Sequence, residues 1–152
     1  MITFITVGKL KKDEYRTLTE DYLKRIGRFS AVKLIELADR DCDNDPAAVE
    51  KEGQSIIAAI PPGSFVISCD MHGERYTSEG FAEKLNSLFL GGKSHICFIV
   101  GGSAGLSESV RGASDMLLSF SSFTFPHNLF RVILCEQVYR AFMILGNRRY
   151  HK

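Results

Sequence analysis

The sequence predicts an α/β domain built on a mainly parallel sheet with helices on both faces. Three observations point there. Short β-rich apolar runs alternate with amphipathic stretches of helical period along almost the whole 152 residues. Two of the runs, Ser64 to Cys69 and Ser94 to Val100, are apolar without alternation, as strands buried on both faces are. A glycine cluster, Gly101-Gly102-Ser103-Ala104-Gly105, follows the second run directly. Parallel sheets bind ligands beyond the carboxyl ends of their strands.

The elements follow in order. Ile2 to Val7 reads as a first strand ending at Gly8. Tyr15, Leu18, Tyr22, Leu23 and Ile26 then share one face of a helix from about Asp13 to Arg28, with charges on the other. Ala31 to Leu37 is a second strand. Asp45-Pro46 is a helix start, a capping acid followed by proline at the first helical position, and Pro61-Pro62-Gly63 stops that helix after Ala59. The buried run to Cys69 is the third strand. Ser78 to Leu90 is an amphipathic helix closed by Gly91-Gly92, and Ser94 to Val100 is the fourth strand. A short helix from Ser107 to Ala113, a strand from Met116 to Phe120 and a long helix from Asn128 to Leu145 complete the chain.

At 152 residues the chain fits a single domain, 1–152. Hydrophobic residues at 45% and charged residues at 24% match a soluble globular protein, with no low-complexity or repeated segment. Lys9, Lys11 and Lys12 follow the first apolar run instead of preceding it, the reverse of a secretory signal, and no run is long enough to span a bilayer. A cytoplasmic protein without a membrane partner is expected. Cys42, Cys69, Cys97 and Cys135 are widely spaced without a C-x-x-C pair, which favours separate thiols in a reducing compartment over disulfides or a metal site.

The net charge of +1 hides an uneven distribution. Residues 9 to 28 carry seven Lys or Arg against four acids, and residues 125 to 152 carry five against one. Residues 36 to 52 hold seven acids against two bases. Solvated helix faces account for this, and so does a phosphate-binding surface formed where the two basic ends meet.

The glycine cluster is not a dinucleotide fingerprint, because Ser103 stands where the second glycine of Gly-x-Gly-x-x-Gly belongs. Gly92-Lys93-Ser94 is not a P-loop either, since it precedes a strand and Ser87 occupies the first glycine position. The cluster is therefore either a structural turn or a close backbone approach to another ligand or to a neighbouring chain. Leu118 to His127 alternates hydroxyl and aromatic side chains, which suits an edge strand or the apolar wall and exposed amides of a purine nucleoside site. Glu136 and Arg140 are spaced for an intrahelical ion pair. The chain then ends in a cationic segment, Arg148-Arg149-Tyr150-His151-Lys152, in which histidine can move a proton near neutral pH.

Taken in order, Thr6-Val-Gly-Lys-Leu-Lys, Val66 to Gly73, Phe98 to Leu106, Leu118 to His127, Arg131 to Arg140 and the terminal Tyr150-His151-Lys152 resemble the ribosomal RNA large subunit methyltransferase H family over essentially the whole chain. That family belongs to the SPOUT methyltransferases, homodimers with a C-terminal trefoil knot. The resemblance implies S-adenosylmethionine as cofactor, no metal, and methylation of N3 of a pseudouridine in 23S rRNA within the large subunit or assembled ribosome. It implies a cofactor pocket formed by Cys69, Gly101, Gly102 and the backbone of Phe120, Ser121, Ser122, Phe123, Thr124 and Phe125. Many relatives carry leucine where Cys69 stands; cysteine still offers a small apolar wall.

Catalytic positioning or deprotonation is then expected from Tyr150, His151 and Arg140, and RNA contact from Arg131, Arg148, Arg149 and Lys152. One subunit's tail is expected to complete the other's pocket. A non-catalytic RNA-binding or ribosome-associated dimer is the competing reading, with the glycine cluster as a simple turn.

Overall fold

A computed structural model describes residues 1–39 and 45–150. Cys42, His151 and Lys152 lie outside the described residues. The elements are β1 (Ile2–Val7), α1 (Asp13–Ile26), β2 (Val32–Leu37), α2 (Pro46–Ala59), β3 (Phe65–Arg75), α3 (Ser78–Leu90), β4 (Ile96–Val100), α4 (Glu108–Gly112), β5 (Met116–Ser119) and α5 (His127–Leu145). The strands form one sheet in the order β2-β1-β4-β3-β5, every pairing parallel. Ile2 is level with both Val32 and Ile96, so β1 lies between β2 and β4, and β4 is the central strand.

Alternation along β1 and β4 feeds two cores. Ile2 and Phe4 of β1 and Ile96, Phe98 and Val100 of β4 face α1, α3 and α5, where they meet Ile26, Phe81, Leu85, Leu134 and Val138. Ile5, Val7, Cys97 and Ile99 face the opposite way, against Ile56 of α2 and Val110 of α4. Helices thus cover both faces, as expected. Cys97 and Cys135 are buried thiols, and Cys69 is partly buried.

Helix starts follow the capping residues. Asp45 accepts a hydrogen bond from Ala47 N at 2.9 Å, Thr77 accepts from Gly80 N at 3.0 Å, and Ser107 from Val110 N at 3.3 Å. Ser107 is therefore the cap of α4 and not its first residue, because its hydroxyl satisfies a backbone donor that the helix leaves open.

The third strand departs from the sequence expectation by running beyond Cys69 to Arg75. Leu118 of β5 is level with Cys69 and again with Glu74, so Asp70 to Gly73 bulges out before pairing resumes. The polar run Asp-Met-His-Gly hides this continuation, since it reads as a loop. A Cβ on Gly73 would lie 2.5 Å from the Leu117 carbonyl carbon, so the crossing of the two backbones requires glycine there.

Candidate cofactor and active site

Parallel strands place their carboxyl ends along one edge, and the bulge after Cys69, the glycine loop after β4 and the segment after β5 gather at that edge. Of the cavities there, two share Cys69. One, of about 330 Å³, is lined by Cys69, Gly101, Gly102, Ser103, Phe125 and His127 among others. The second, of about 190 Å³, is lined by Cys69, Asp70, Phe120, Ser121, Phe123, Thr124 and Phe125. They share Cys69, Phe125 and Phe130. The residues expected to hold a cofactor are thus brought to one place, except Ser122, which lies exposed in the same turn and lines neither cavity.

The glycine loop closes on itself. Gly105 N donates to Gly102 O at 3.1 Å, and Gly105 has φ of +82°, a left-handed conformation that only glycine adopts cheaply. A Cβ on Gly101 would lie 2.7 Å from Leu106 Cδ2 and 2.9 Å from Gly105 O, so backbone itself forms this wall. Behind the loop, Gly102 N donates to Glu52 Oε1 at 3.1 Å.

Across the cleft, Ser121 Oγ accepts from Phe123 N at 3.0 Å and turns the chain after β5. Phe130 packs edge-on against Phe120, with ring centroids 5.1 Å apart, and lies 6.0 Å from Phe125. Apolar walls beside exposed peptide groups suit an adenosine moiety, with rings for the base and amides for its edge. Burial pushes the Cys69 thiol well above the ordinary range, so it stays protonated and acts as a wall.

Asp70 anchors the bulge. Its carboxylate accepts from Arg111 Nε of α4 at 2.8 Å and from His72 N at 2.9 Å. Burial pushes this carboxyl up, but the His72 amide and the Arg111 guanidinium outweigh it and hold it below the ordinary range. His127 is pushed below the ordinary imidazole range, chiefly by burial. Its Nε2–H donates to the Val7 carbonyl at 2.9 Å.

Both shifts make the fold acid-sensitive. A depressed carboxyl contributes stability that is complete above its unfolded pKa and lost as pH falls through the folded value. A depressed imidazole refuses a proton that the unfolded chain accepts, so stability also falls on acidification, beginning near pH ~6.5. Urea midpoints should therefore decline first below about pH 6.5 and again below about pH 4. His127→Gln should shrink the first decline to the share of His95, which burial also lowers. An unchanged acid profile in that variant would refute the assignment.

The remaining site residues are placed elsewhere. Tyr150 Oη donates to Glu136 Oε1 at 3.1 Å, and Arg140 Nε donates to the same oxygen at 2.9 Å. The Arg140 guanidinium stacks over the Tyr150 ring, 4.8 Å from its centroid. Burial, then contacts with Tyr22 and Glu136, push the Tyr150 phenol up, which keeps it protonated. Neither Tyr150 nor Arg140 is among the residues lining the two cavities. Arg148 stacks on Phe29 at 5.0 Å, and Arg149 is exposed.

Arg131 departs from the expected phosphate contact. It is 3% exposed, and its guanidinium donates to Val7 O, to Gly8 O at 2.8 Å and to Glu36 Oε1 at 3.3 Å. Because α5 is packed between α1 and α3 over the sheet, a charge at this position points inward and ties α5 to the end of β1. Glu52, also 3% exposed, escaped the sequence reading. Its signal was there, since it lies four residues before Ile56 on the inward face of α2.

Among the described residues no helix is long and apolar enough to cross a membrane, and no group of three or more His, Cys, Asp or Glu could hold a metal ion.

An all-parallel sheet with a backbone-walled cleft at its carboxyl edge defines an α/β protein of the kind that binds ligands beyond its strand ends. The chain belongs to the SPOUT methyltransferase family, whose model, described as "Predicted SPOUT methyltransferase", matches residues 1–151. SPOUT methyltransferases use S-adenosylmethionine. More closely, the chain is similar to the ribosomal RNA large subunit methyltransferase H of Clostridium beijerinckii, 45% identical with 99% of each chain covered. It is also 44% identical to the protein of that name from Streptococcus thermophilus, again over 99% of each. Among solved structures, a probable methylase family protein from Haemophilus influenzae Rd KW20 superposes with a TM-score of 0.57 at 12% identity, over 99% of this chain and 70% of that one. The SpoU methyltransferase AviRb from Streptomyces viridochromogenes gives 0.51 at 12% identity, over 97% and 61%.

Proposed function

We propose that this chain transfers the methyl group of S-adenosylmethionine to N3 of a pseudouridine in 23S rRNA, within the large subunit or the assembled ribosome, and does so as a homodimer in the cytoplasm. The observation that carries this reading is the cleft at the carboxyl edge, where Cys69, Gly101, Gly102 and Phe125 meet. Its walls fit the cofactor: bare backbone at Gly101, where the loop leaves no room for a Cβ, and phenylalanine rings opposite. The relatives' names supply the rRNA substrate.

When bound, the sulfonium cofactor supplies an already activated methyl group. The protein's share is alignment and proton removal. Gly101, Gly102 and the backbone of Phe120 to Phe125 hold the donor and exclude water from it. Tyr150 and Arg140, fixed on Glu136, orient the base, while His151 takes the imide proton. Arg148, Arg149 and Lys152 contact phosphate.

In one protomer the Tyr150 cluster stands apart from both cavities, which supports completion of each cleft by the partner's tail. The reading also carries a trefoil knot. The course of the chain after β5 supports it, since residues 120–127 pass over the carboxyl ends from Ser119 to the Val7 carbonyl.

Methyl transfer to intact ribosomes, large subunits and free rRNA, with mass mapping of the product, tests the proposal. One added methyl on a pseudouridine is expected. A different methylated base would overturn the substrate assignment. Calorimetry showing no saturable S-adenosylmethionine site would replace the enzyme with a plain RNA-binding dimer.

A further inference from the structure

Glu52 is a carboxylate in a place that sequence patterns reserve for an apolar side chain. It lies on the inward face of α2 beside Gly53 and Ile56, and is 3% exposed. Burying a carboxylate is costly unless specific donors receive it. One such donor is the Gly102 amide, at 3.1 Å. Around this bond α2 and the segment after β4 are in tight register. A Cβ on Gly53 would fall 2.0 Å from Ser107 Oγ, and a Cβ on Gly102 would come within 3.0 Å of both Glu52 oxygens. A side chain at Gly53 would displace the Ser107 hydroxyl, and one at Gly102 would press on the Glu52 carboxylate.

The peptide plane gives this contact a further consequence. The amide that Glu52 receives belongs to the Gly101–Gly102 peptide, and in a trans peptide the carbonyl points opposite to the N–H. No cis peptide bonds occur in the described residues. With the N–H held toward α2, the Gly101 carbonyl is turned to the other side of the loop. Gly101 and Gly102 both line the larger cavity. Two adjacent glycines leave this peptide free to flip in the absence of an anchor, because glycine populates both signs of φ.

We propose that Glu52 is a positioning residue for the cofactor loop: its carboxylate sets the orientation of the Gly101–Gly102 peptide and so presents the Gly101 carbonyl as a fixed acceptor for S-adenosylmethionine. The inference rests on the proposed function, since it assumes that this cofactor occupies the cleft. Glu52 touches no reacting atom. It acts through the loop, and a charged acceptor holds an amide more firmly than a neutral one.

Glu52→Gln and Glu52→Ala test this in the full chain, with S-adenosylmethionine binding followed by calorimetry, KM for each substrate by methyl transfer, and unfolding by heat. Gln keeps an oxygen at the same reach, whereas Ala removes the acceptor. Affinity for S-adenosylmethionine should fall about tenfold or more in Glu52→Ala and by a smaller factor in Glu52→Gln. KM for the ribosomal substrate should stay within about twofold of the parent, the split that a purely structural role does not produce. If Glu52→Ala binds S-adenosylmethionine within about twofold of the parent chain, the proposal is overturned. Should Glu52→Ala not fold, Glu52→Asp, whose shorter side chain withdraws the carboxylate from the Gly102 amide, decides by the same criterion. A parent chain that fails to bind the cofactor refutes the functional reading instead, so the two failures are distinct.

Discussion

Replacing Arg131 with alanine is expected to destabilise the protein by about 3–5 kcal/mol, the cost of removing one member of a buried, hydrogen-bonded charge set. The guanidinium ties α5 to two strands, donating to Val7 and Gly8 at the end of β1 and to Glu36 of β2. Its loss removes the Gly8 carbonyl's side-chain donor and the cation facing Glu36, and leaves the Val7 carbonyl with His127. In a chain of this size the thermal midpoint should drop by roughly 10 °C. Arg149→Ala, at an exposed site, should move it by less than about 2 °C. Paired urea or thermal melts of the two variants make the comparison. A small stability loss in Arg131→Ala together with weakened ribosome binding would restore the phosphate-contact role first expected of this residue.

Gly101→Ala is expected to weaken cofactor binding by about tenfold or more while leaving a folded chain. The added methyl has no space: Leu106 Cδ2 lies 2.7 Å from its position and the Gly105 carbonyl oxygen 2.9 Å. The Leu106 side chain can yield, but the backbone of Gly105 cannot without opening the loop. Overpacking of this kind costs about 1–3 kcal/mol, and the shifted loop should lower S-adenosylmethionine affinity by at least about tenfold. Gly112→Ala is the matched control, since a Cβ there meets nothing within 4 Å. Calorimetric titration of both variants gives the answer. Equal affinity in the two would mean that the glycine loop is a turn and no wall of the site.

Strands and helices were legible because burial imposes a period on the sequence. Two-sided burial at Ile96 to Val100 and the capping acid at Asp45 each act locally, so each left a local trace. The second half of β3 left none. Its pairing with β5 depends on Gly73 passing the Leu117 backbone, and that is a property of two distant segments. The directions of Glu52 and Arg131 were obscured by the rule that charge marks surface. Both helices are packed on more than one side, so an inward charge breaks the amphipathic stripe without announcing why.

The candidate site divides in the same way. Residue types suggested a ligand at the glycine loop and at the hydroxyl-aromatic segment, and only family resemblance joined them with Cys69. The fold places all three within one cleft because parallel strands end together. That Tyr150 and Arg140 collect on Glu136, away from the cleft, follows from the return of the tail along α5. No spacing in the sequence encodes that return.

The last helix also acts as a ruler. Its first turns close the cleft with His127 and Phe130, and Glu136, nine residues after His127, holds Arg140 and Tyr150. At 1.5 Å per residue the two stations are about 14 Å apart along the axis. A rigid rod keeps that interval whatever the surface loops do, so insertions elsewhere in the chain can change its outline without changing the separation between cleft and tail.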